Sequence, residues 1–232
     1  MKKIIIYLGI IITILFLFLL GTYKLMNSRT FQLFGGLTSQ VETEEKVVAI
    51  TFDDGPTNKV EDILPILEKY DAKATFFLIG NEIEKNSEAA QMIAQAGHQI
   101  GNHTYSHKRM VLKSPSFIKE EIEKTNKLIV QAGFTGEIDF RPPNGKKLLG
   151  LPYYLNQQNI DTITWNLEPD SYYTKSSDKI NYVKKNVKPG SIILLHPMYD
   201  KTGEELKALE GILKTLSTEG YTFITVNELQ EM

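Results

Sequence analysis

Two hydrophobic regimes divide the chain. Ile4–Leu20 reads IIIYLGIIITILFLFLL, with no charge and no proline, and the apolar character continues to Tyr23. As a helix, that length spans a hydrocarbon core of ~30 Å. It is apolar on every side, unlike a core helix with one polar face. Lys2 and Lys3 precede it, which predicts a cytoplasmic N-terminus. The flank GTYKLMNSRT lacks the small-x-small pattern of a signal-peptide cleavage site. Residues 1–25 are therefore expected to be a single-pass membrane anchor with the rest of the chain extracellular. Cleavage, the competing reading, would release a secreted domain.

Residues 26–45 are mixed and polar, with Gly35-Gly36 and the acidic run VETEE, and read as a linker with some local order near Phe31 and Phe34. From residue 46 to 232 the pattern changes to short apolar runs alternating with helical spacings. Val47–Phe52, Ala74–Ile79, His98–Ile100, Ile138–Phe140, Thr162–Trp165, Ser191–Leu195 and Thr222–Thr225 read as strands. Val60–Tyr70, Ser87–Ala96, Ser116–Gln131 and Glu204–Ser217 carry helical periodicity, with Gly97 and Gly133 at two C-terminal ends. Strand–helix alternation predicts an α/β fold with a mostly parallel sheet. Seven or eight strands in so short a domain point to a distorted, shortened (β/α) barrel rather than one of ~250 residues.

Composition then removes whole classes. The chain has 232 residues and no Cys, so disulfide scaffolds, thiolate metal sites and cysteine nucleophiles are excluded. The net charge is −2, and 22 of the 26 basic side chains and all 28 acidic ones lie beyond residue 41. A domain of that balance is not built to capture nucleic acid. Oligomeric state leaves no signature in the pattern.

The unusual polar residues gather where strands end. TFDDGP (51–56) follows the first strand, HTYSH (103–107) the third, RPPNG (141–145) the fourth and WNLEPD (165–170) the fifth, while LLHP (194–197) closes the sixth. Loops at that end of an α/β barrel form one face, where active sites sit. Adjacent Asp53 and Asp54 are compatible with a plain turn. As chemistry they divide into one metal ligand and one free base. His103 and His107 are spaced i, i+4, so on a helical turn both imidazoles face one side. With no thiolates, these two and Asp54 form a candidate divalent site that leaves positions for water and substrate. The second position of HTYSH is Thr104 where a zinc-protease helix has Glu, so a base must come from elsewhere. Arg141 reads as a fixed cation for a nearby carboxylate. His196 is a candidate general acid, with Asp170 or Glu168 to orient it. Trp165, Tyr105, Tyr172, Tyr173 and Tyr199 are candidates for stacking on sugar rings or for packing.

In this order, TFDDGP, HTYSH, RPPNG, WNLEPD and LLH resemble the five motifs of the polysaccharide deacetylase (NodB-homology) family of metal-dependent carbohydrate esterases. The resemblance spans residues 51 to 196 and implies a catalytic domain over residues 46–232 with the family's shortened barrel. It implies an enzyme of the cell wall or exopolysaccharide: a hydrolase of linear amides that removes N-acetyl groups from an amino-sugar polymer such as peptidoglycan or chitin. It also implies one divalent metal, usually zinc, with cobalt or nickel accepted, held by Asp54, His103 and His107. Asp53 is implied as general base, Arg141 as its support, His196 as general acid and Asp170 as the residue that tunes it. Leu194 is implied to line the acetyl pocket, the backbone N–H of Asn144 to serve the oxyanion, and Trp165 to stand near the substrate. Asn144 occupies a position that is usually Tyr, and Ser171 one that is usually Trp. A catalytically inactive carbohydrate-binding scaffold, and an O-deacetylase or other amidase acting on a different substrate such as xylan, are the alternatives.

Overall fold

The computed structural model describes residues 2–232. Helix α1 (Lys2–Asn27) covers the apolar stretch and buries none of its residues in the protein. The elements that follow are β1 (Leu37–Thr38), β2 (Val47–Asp53), α2 (Val60–Lys69), β3 (Ala74–Leu78), α3 (Gly80–Lys85), α4 (Ser87–Gln95) and β4 (Gln99–Asn102). Then come α5 (Pro115–Gln131), α6 (Gly150–Gln157), β5 (Thr162–Ile163), α7 (Ser176–Asn186), β6 (Ser191–Leu195), α8 (Glu204–Thr218), β7 (Thr222–Phe223) and α9 (Val226–Gln230).

Every named strand pairing is parallel. The main sheet runs β4-β3-β2-β6, with β7 beside the start of β2 and a separate β1-β5 pair. Single bridges carry the order further, from Asn102 to Phe140 to Thr162, and from Leu167 to Ile193. All seven residues of β2 are buried, as expected of a central parallel strand covered on both faces.

Strand alternation sorts those residues into two chemistries. Val48, Ile50 and Phe52 face outward into the layer formed with Val60, Ile63 and Leu67 of α2 and Leu209, Ile212 and Leu213 of α8. Val47 and Ala49 face inward with Phe77, Ile163, Ile192 and Leu194. Thr51 and Asp53 continue that inward row, so the interior is apolar at one end and polar at the other. Near the starts of β3 and β4 buried polar side chains bond to one another. Thr75 Oγ1 donates to Gln99 Oε1 at 2.8 Å, and Gln99 Nε2 and Asn227 Nδ2 each donate to Asp139 Oδ2 at 2.9 Å.

Four expectations need correction. Ile138–Phe140 forms no strand of its own; it is reduced to the bridge at Phe140, because after Arg141, whose N–H still donates to the Asn102 carbonyl, Pro142 and Pro143 cannot continue a ladder. The seventh strand is instead β1, inside the segment read as a linker. The closing strand stops at Phe223, since Thr225 caps α9 through a reciprocal box with Glu228. Helix α5 also starts earlier than its periodicity suggests: Ser114 is the cap, accepting from Phe117 N, and Pro115 sits in the first turn.

Candidate active site and metal centre

The inward row of β2 ends on Asp53, which is buried beneath Arg141. Arg141 is itself fully buried, and its Nη1 donates to Asp53 Oδ1 at 2.7 Å and to Thr51 Oγ1 at 2.8 Å. Its Nη2 donates to the carbonyl of Thr164 at 3.1 Å, and the guanidinium lies 4.0 Å over the Phe77 ring. Period-two spacing puts Thr51 and Asp53 on the same face, so one planar cation reaches both. Burial pushes the Asp53 carboxyl up, but Arg141, His103 and His196 outweigh it and hold the carboxyl below its ordinary value.

Asp54 departs from this row because its backbone is left-handed, at φ 68°, a region that Asp tolerates. Gly55 continues the turn at φ 74°, where a Cβ would stand 2.9 Å from Met198 Cγ. The two neighbouring carboxylates thereby part, Asp53 Oδ1 to Arg141 and Asp54 toward His107, while Asp53 Oδ2 still lies 3.6 Å from His103 Nε2. Asp54 Oδ1 lies 3.2 Å from His107 Nε2 and 3.9 Å from His103 Nε2.

His103–His107 is not a helical turn, contrary to the i, i+4 reading. It is a loop with left-handed residues at Thr104 (φ 69°) and His107 (φ 55°). The loop is braced from outside: Asn102 Oδ1 accepts from Thr104 N, Thr104 Oγ1 accepts from His107 N, and Glu121 accepts from both Ser106 N and Ser106 Oγ. The imidazoles still converge, with centroids 5.0 Å apart. His103 Nδ1 is 2.7 Å from the carbonyl of Arg141, which fixes the proton there and leaves Nε2 as a lone pair.

Ligand atoms from Asp54, His103 and His107 all lie within 4.8 Å of one another. Burial lowers both histidines from the ordinary imidazole value, against the pull of Asp53, so both are neutral near pH 7. Burial raises the Asp54 carboxyl, and the charge of Asp53 adds to that effect. Two neutral imidazoles and a carboxylate short of compensation make a donor set suited to a divalent cation.

Across the pocket, Asp170 Oδ2 accepts from His196 N at 2.9 Å and lies 3.0 Å from His196 Nδ1. Lys179, buried, pairs with Asp170 at 2.9 Å and also with Glu205. Burial alone would lower His196. The Asp170 hydrogen bond and the charges of Asp53, Asp170 and Asp54 raise it instead to about 9. The choice between Glu168 and Asp170 is thus decided by geometry, since Glu168 turns to Trp165 Nε1 (3.0 Å) and to Arg29 (2.8 Å).

Asp53, Asp54, His103, His107 and His196 line an open pocket of about 260 Å³, together with Asn144, Trp165 and Leu194. Asn144 adopts φ 56°, and its Oδ1 accepts from Arg109 Nε at 3.2 Å. Of the aromatic candidates only Trp165 lines the pocket. Tyr105 is committed to Glu84 and Lys124, while Tyr172 and Tyr173 cluster with Tyr182. Sequence reasoning missed Arg29, which also lines the pocket, and Lys179. Neither stands in a motif; Arg29 is brought in by partners more than a hundred residues away, and Lys179 by Asp170 and Glu205.

Residues 40–163 match the polysaccharide deacetylase family. A peptidoglycan-N-acetylglucosamine deacetylase of Bacillus cereus is 33% identical over 199 residues, covering 84% of this chain and 93% of its own length. The chain belongs to the polysaccharide deacetylase family. Among solved structures, a family 4 acetyl xylan esterase from Clostridium thermocellum, in complex with a cobalt ion, superposes with a TM-score of 0.72 at 34% identity. The alignment covers 80% of this chain and 91% of that one. A pseudoenzyme of the same family from Bacillus anthracis aligns with a TM-score of 0.74 at 29% identity, over 82% of this chain and 67% of that one. A polysaccharide deacetylase fold therefore does not by itself establish turnover, which depends on the residues of the pocket.

Proposed function

We propose that this chain is a metal-dependent hydrolase that removes N-acetyl groups from an amino-sugar polymer, with peptidoglycan as the first substrate to test. One observation carries the reading: Asp53 backed by Arg141, the Asp54–His103–His107 set, and His196 backed by Asp170 converge on one open pocket, which Asp53, Asp54, His103, His107 and His196 line. An inactive scaffold needs no such complete set. The Bacillus cereus relative, named for peptidoglycan N-acetylglucosamine, supports the substrate class.

Asp54, His103 and His107 would hold the ion, which we assign as zinc with cobalt or nickel as substitutes. Bound there, a divalent ion supplies Lewis-acid polarisation of the acetyl carbonyl and a water of lowered pKa. Asp53, kept ionised by Arg141, takes the proton of the attacking water. The backbone N–H of Asn144 meets the developing oxyanion, a donor worth roughly 3–4 kcal/mol. His196, protonated at neutral pH because of Asp170, gives its proton to the leaving nitrogen. Leu194 packs against the acetyl methyl and Trp165 forms part of the wall. The products are acetate and a free amine, so each turnover adds a positive charge to the polymer.

Two wider readings accompany this. The single bridges at Phe140 and Leu167 support a shortened, distorted barrel closed by isolated contacts in place of full strands. Helix α1, long and apolar enough to cross a membrane, supports a single-pass anchor with residues 46–232 as the extracellular catalytic domain. The test uses the full-length protein in detergent. Acetate should be released from peptidoglycan glycan or chitotetraose, cease after chelation and return with added zinc. Release from acetylated xylan alone would move the assignment to O-deacetylation, the activity for which the Clostridium thermocellum relative is named. No release from any of the three would favour the inactive scaffold.

A further inference from the structure

The family match begins at residue 40, yet one wall of the pocket comes from residue 29. Arg29 lies just beyond α1, in the segment that composition marks as a linker, and that segment is docked. Lys147, almost fully buried, donates from Nζ to the carbonyl of Ser28 at 2.5 Å and from its backbone N to that of Met26 at 3.2 Å. Thr164 Oγ1 donates to the Arg29 carbonyl at 2.6 Å. The backbone on both sides of the Arg29 side chain is therefore held by the catalytic domain.

The side chain is held as well. Its guanidinium lies 4.5 Å over the Trp165 ring, and Nη2 donates to Glu168 Oε2 at 2.8 Å. Among the residues that line the pocket it is the one Lys or Arg, against Asp53, Asp54 and Glu168. Asp53 is matched by Arg141 and Asp54 faces the two imidazoles, so Glu168 is the acid that Arg29 neutralises. Guanidinium has five N–H donors in a planar fork. Among the described residues, Glu168 is the one acceptor hydrogen-bonded to the Arg29 side chain, which is 42% exposed. A stacked, half-exposed guanidinium with spare donors fits a carboxylate better than a hydroxyl.

We propose that Arg29 is a specificity-determining residue that selects a glycan bearing a carboxylate at or beside the acetylated ring. This rests on the hydrolase reading above. The same contact masks Glu168, which would otherwise repel such a substrate.

The test compares two probes with the zinc-loaded, full-length protein: a peptide-free peptidoglycan tetrasaccharide with free lactyl carboxylates, and the same tetrasaccharide with those groups converted to methyl amides. The readout is the ratio of kcat/KM for carboxylate over amide, in which any general loss of activity cancels. The wild type should favour the carboxylate by about tenfold, the scale of one charge-assisted contact, mainly through KM. Arg29→Gln should bring the ratio to one or below, because Glu168 is then unmasked, and Arg29→Lys should keep part of the preference. In the Arg29→Gln/Glu168→Gln double variant the ratio should return to near one. A wild-type ratio near one, an unchanged ratio in Arg29→Gln, or full recovery in the double variant would each overturn the assignment. Acetate from neither probe would sink the reading of peptidoglycan as substrate and this inference with it, whereas turnover of both without preference would sink this inference alone.

Discussion

Replacing Arg141 by Met is the sharpest test of how the interior is built. Met fills much of the same volume against Phe77 but removes the charge and three hydrogen bonds, to Asp53, Thr51 and the Thr164 carbonyl. Both members of the Arg141–Asp53 pair are almost without solvent, at 0% and 5% side-chain exposure. Breaking such a pair from one side strands the other charge, at about 3–5 kcal/mol. Against a typical domain stability of ~5–15 kcal/mol, that is a large fraction. The loss should also carry a pH signature. In the wild type the Asp53 carboxyl is held below its ordinary value, so its contribution is present above the unfolded value of 3.8 and fades as pH falls through the native pKa. In Arg141→Met burial acts with far less opposition, and the native pKa moves above 3.8. Each unit of that rise then removes about 1.4 kcal/mol at neutral pH and nothing once both states are protonated. The difference between variant and wild type should therefore be widest at pH 7 and shrink toward pH 3.5. Urea unfolding with chelator present, followed by the fluorescence of Trp165, the single tryptophan, measures it. The Asp53→Asn/Arg141→Met double variant should recover part of the loss at pH 7. An equal shift in midpoint at both pH values, or no recovery in the double variant, would refute the account.

Three further outcomes follow from the same interior and site. Burial, with help from Asp161 and Glu137 and against the Gln99 hydrogen bond and Arg141, pushes the Asp139 carboxyl up to about 7. Native stability should therefore fall as pH rises from about 4 through 7, by at most about 4 kcal/mol. Asp139→Asn should accordingly raise Tm at pH 8 and not at pH 4, and an identical change at both would show that Asp139 does not titrate there. Asp170→Asn removes the partner that keeps His196 at about 9, so the alkaline limb of the kcat profile should move to lower pH, and an unmoved limb would assign that limb to another group. His103→Ala should leave zinc far below one equivalent per chain by elemental analysis, and wild-type content would exclude His103 as a ligand.

Which parts of the fold could be read in advance depended on where the information resides. β2, β3 and β6 are local: short runs rich in Val, Ile, Leu and Phe that are buried throughout, and burial on both faces is what such runs encode. Helix α7 was not legible, because it buries only Lys179 and Val183 among polar neighbours and shows no apolar stripe. Helix α6 was hidden by Gly150 and by Pro152 within its first turn. The segment before residue 42 looks like a tether because its own residues carry no periodicity. Its order comes from partners far along the chain, with Thr38 against Ile163 and Val41 N on the Gly190 carbonyl.

The site obeys the same division. Side chains at strand ends were legible because a strand's alternation decides which face each one takes. Asp53 and Thr51 share the inward row of β2, and Leu194 takes the corresponding inward position in β6. What alternation cannot convey is how a turn redirects the residue after the strand. Asp54 leaves the row only because its φ is positive, and His103 meets His107 through two left-handed residues rather than a helical turn. The i, i+4 spacing thus named the right pair for a reason the backbone does not use. Arg29 lies at the far end of this scale: nothing near it in the chain marks it, since the groups that hold it, Thr164, Trp165 and Glu168, are more than a hundred residues away. Motif residues supply the ionisable groups of the pocket, while Arg29 lines the same pocket from outside the matched segment, residues 40–163. Substrate preference is therefore better sought in Arg29 than in the five motifs, and the carboxylate-to-amide ratio tests that step directly.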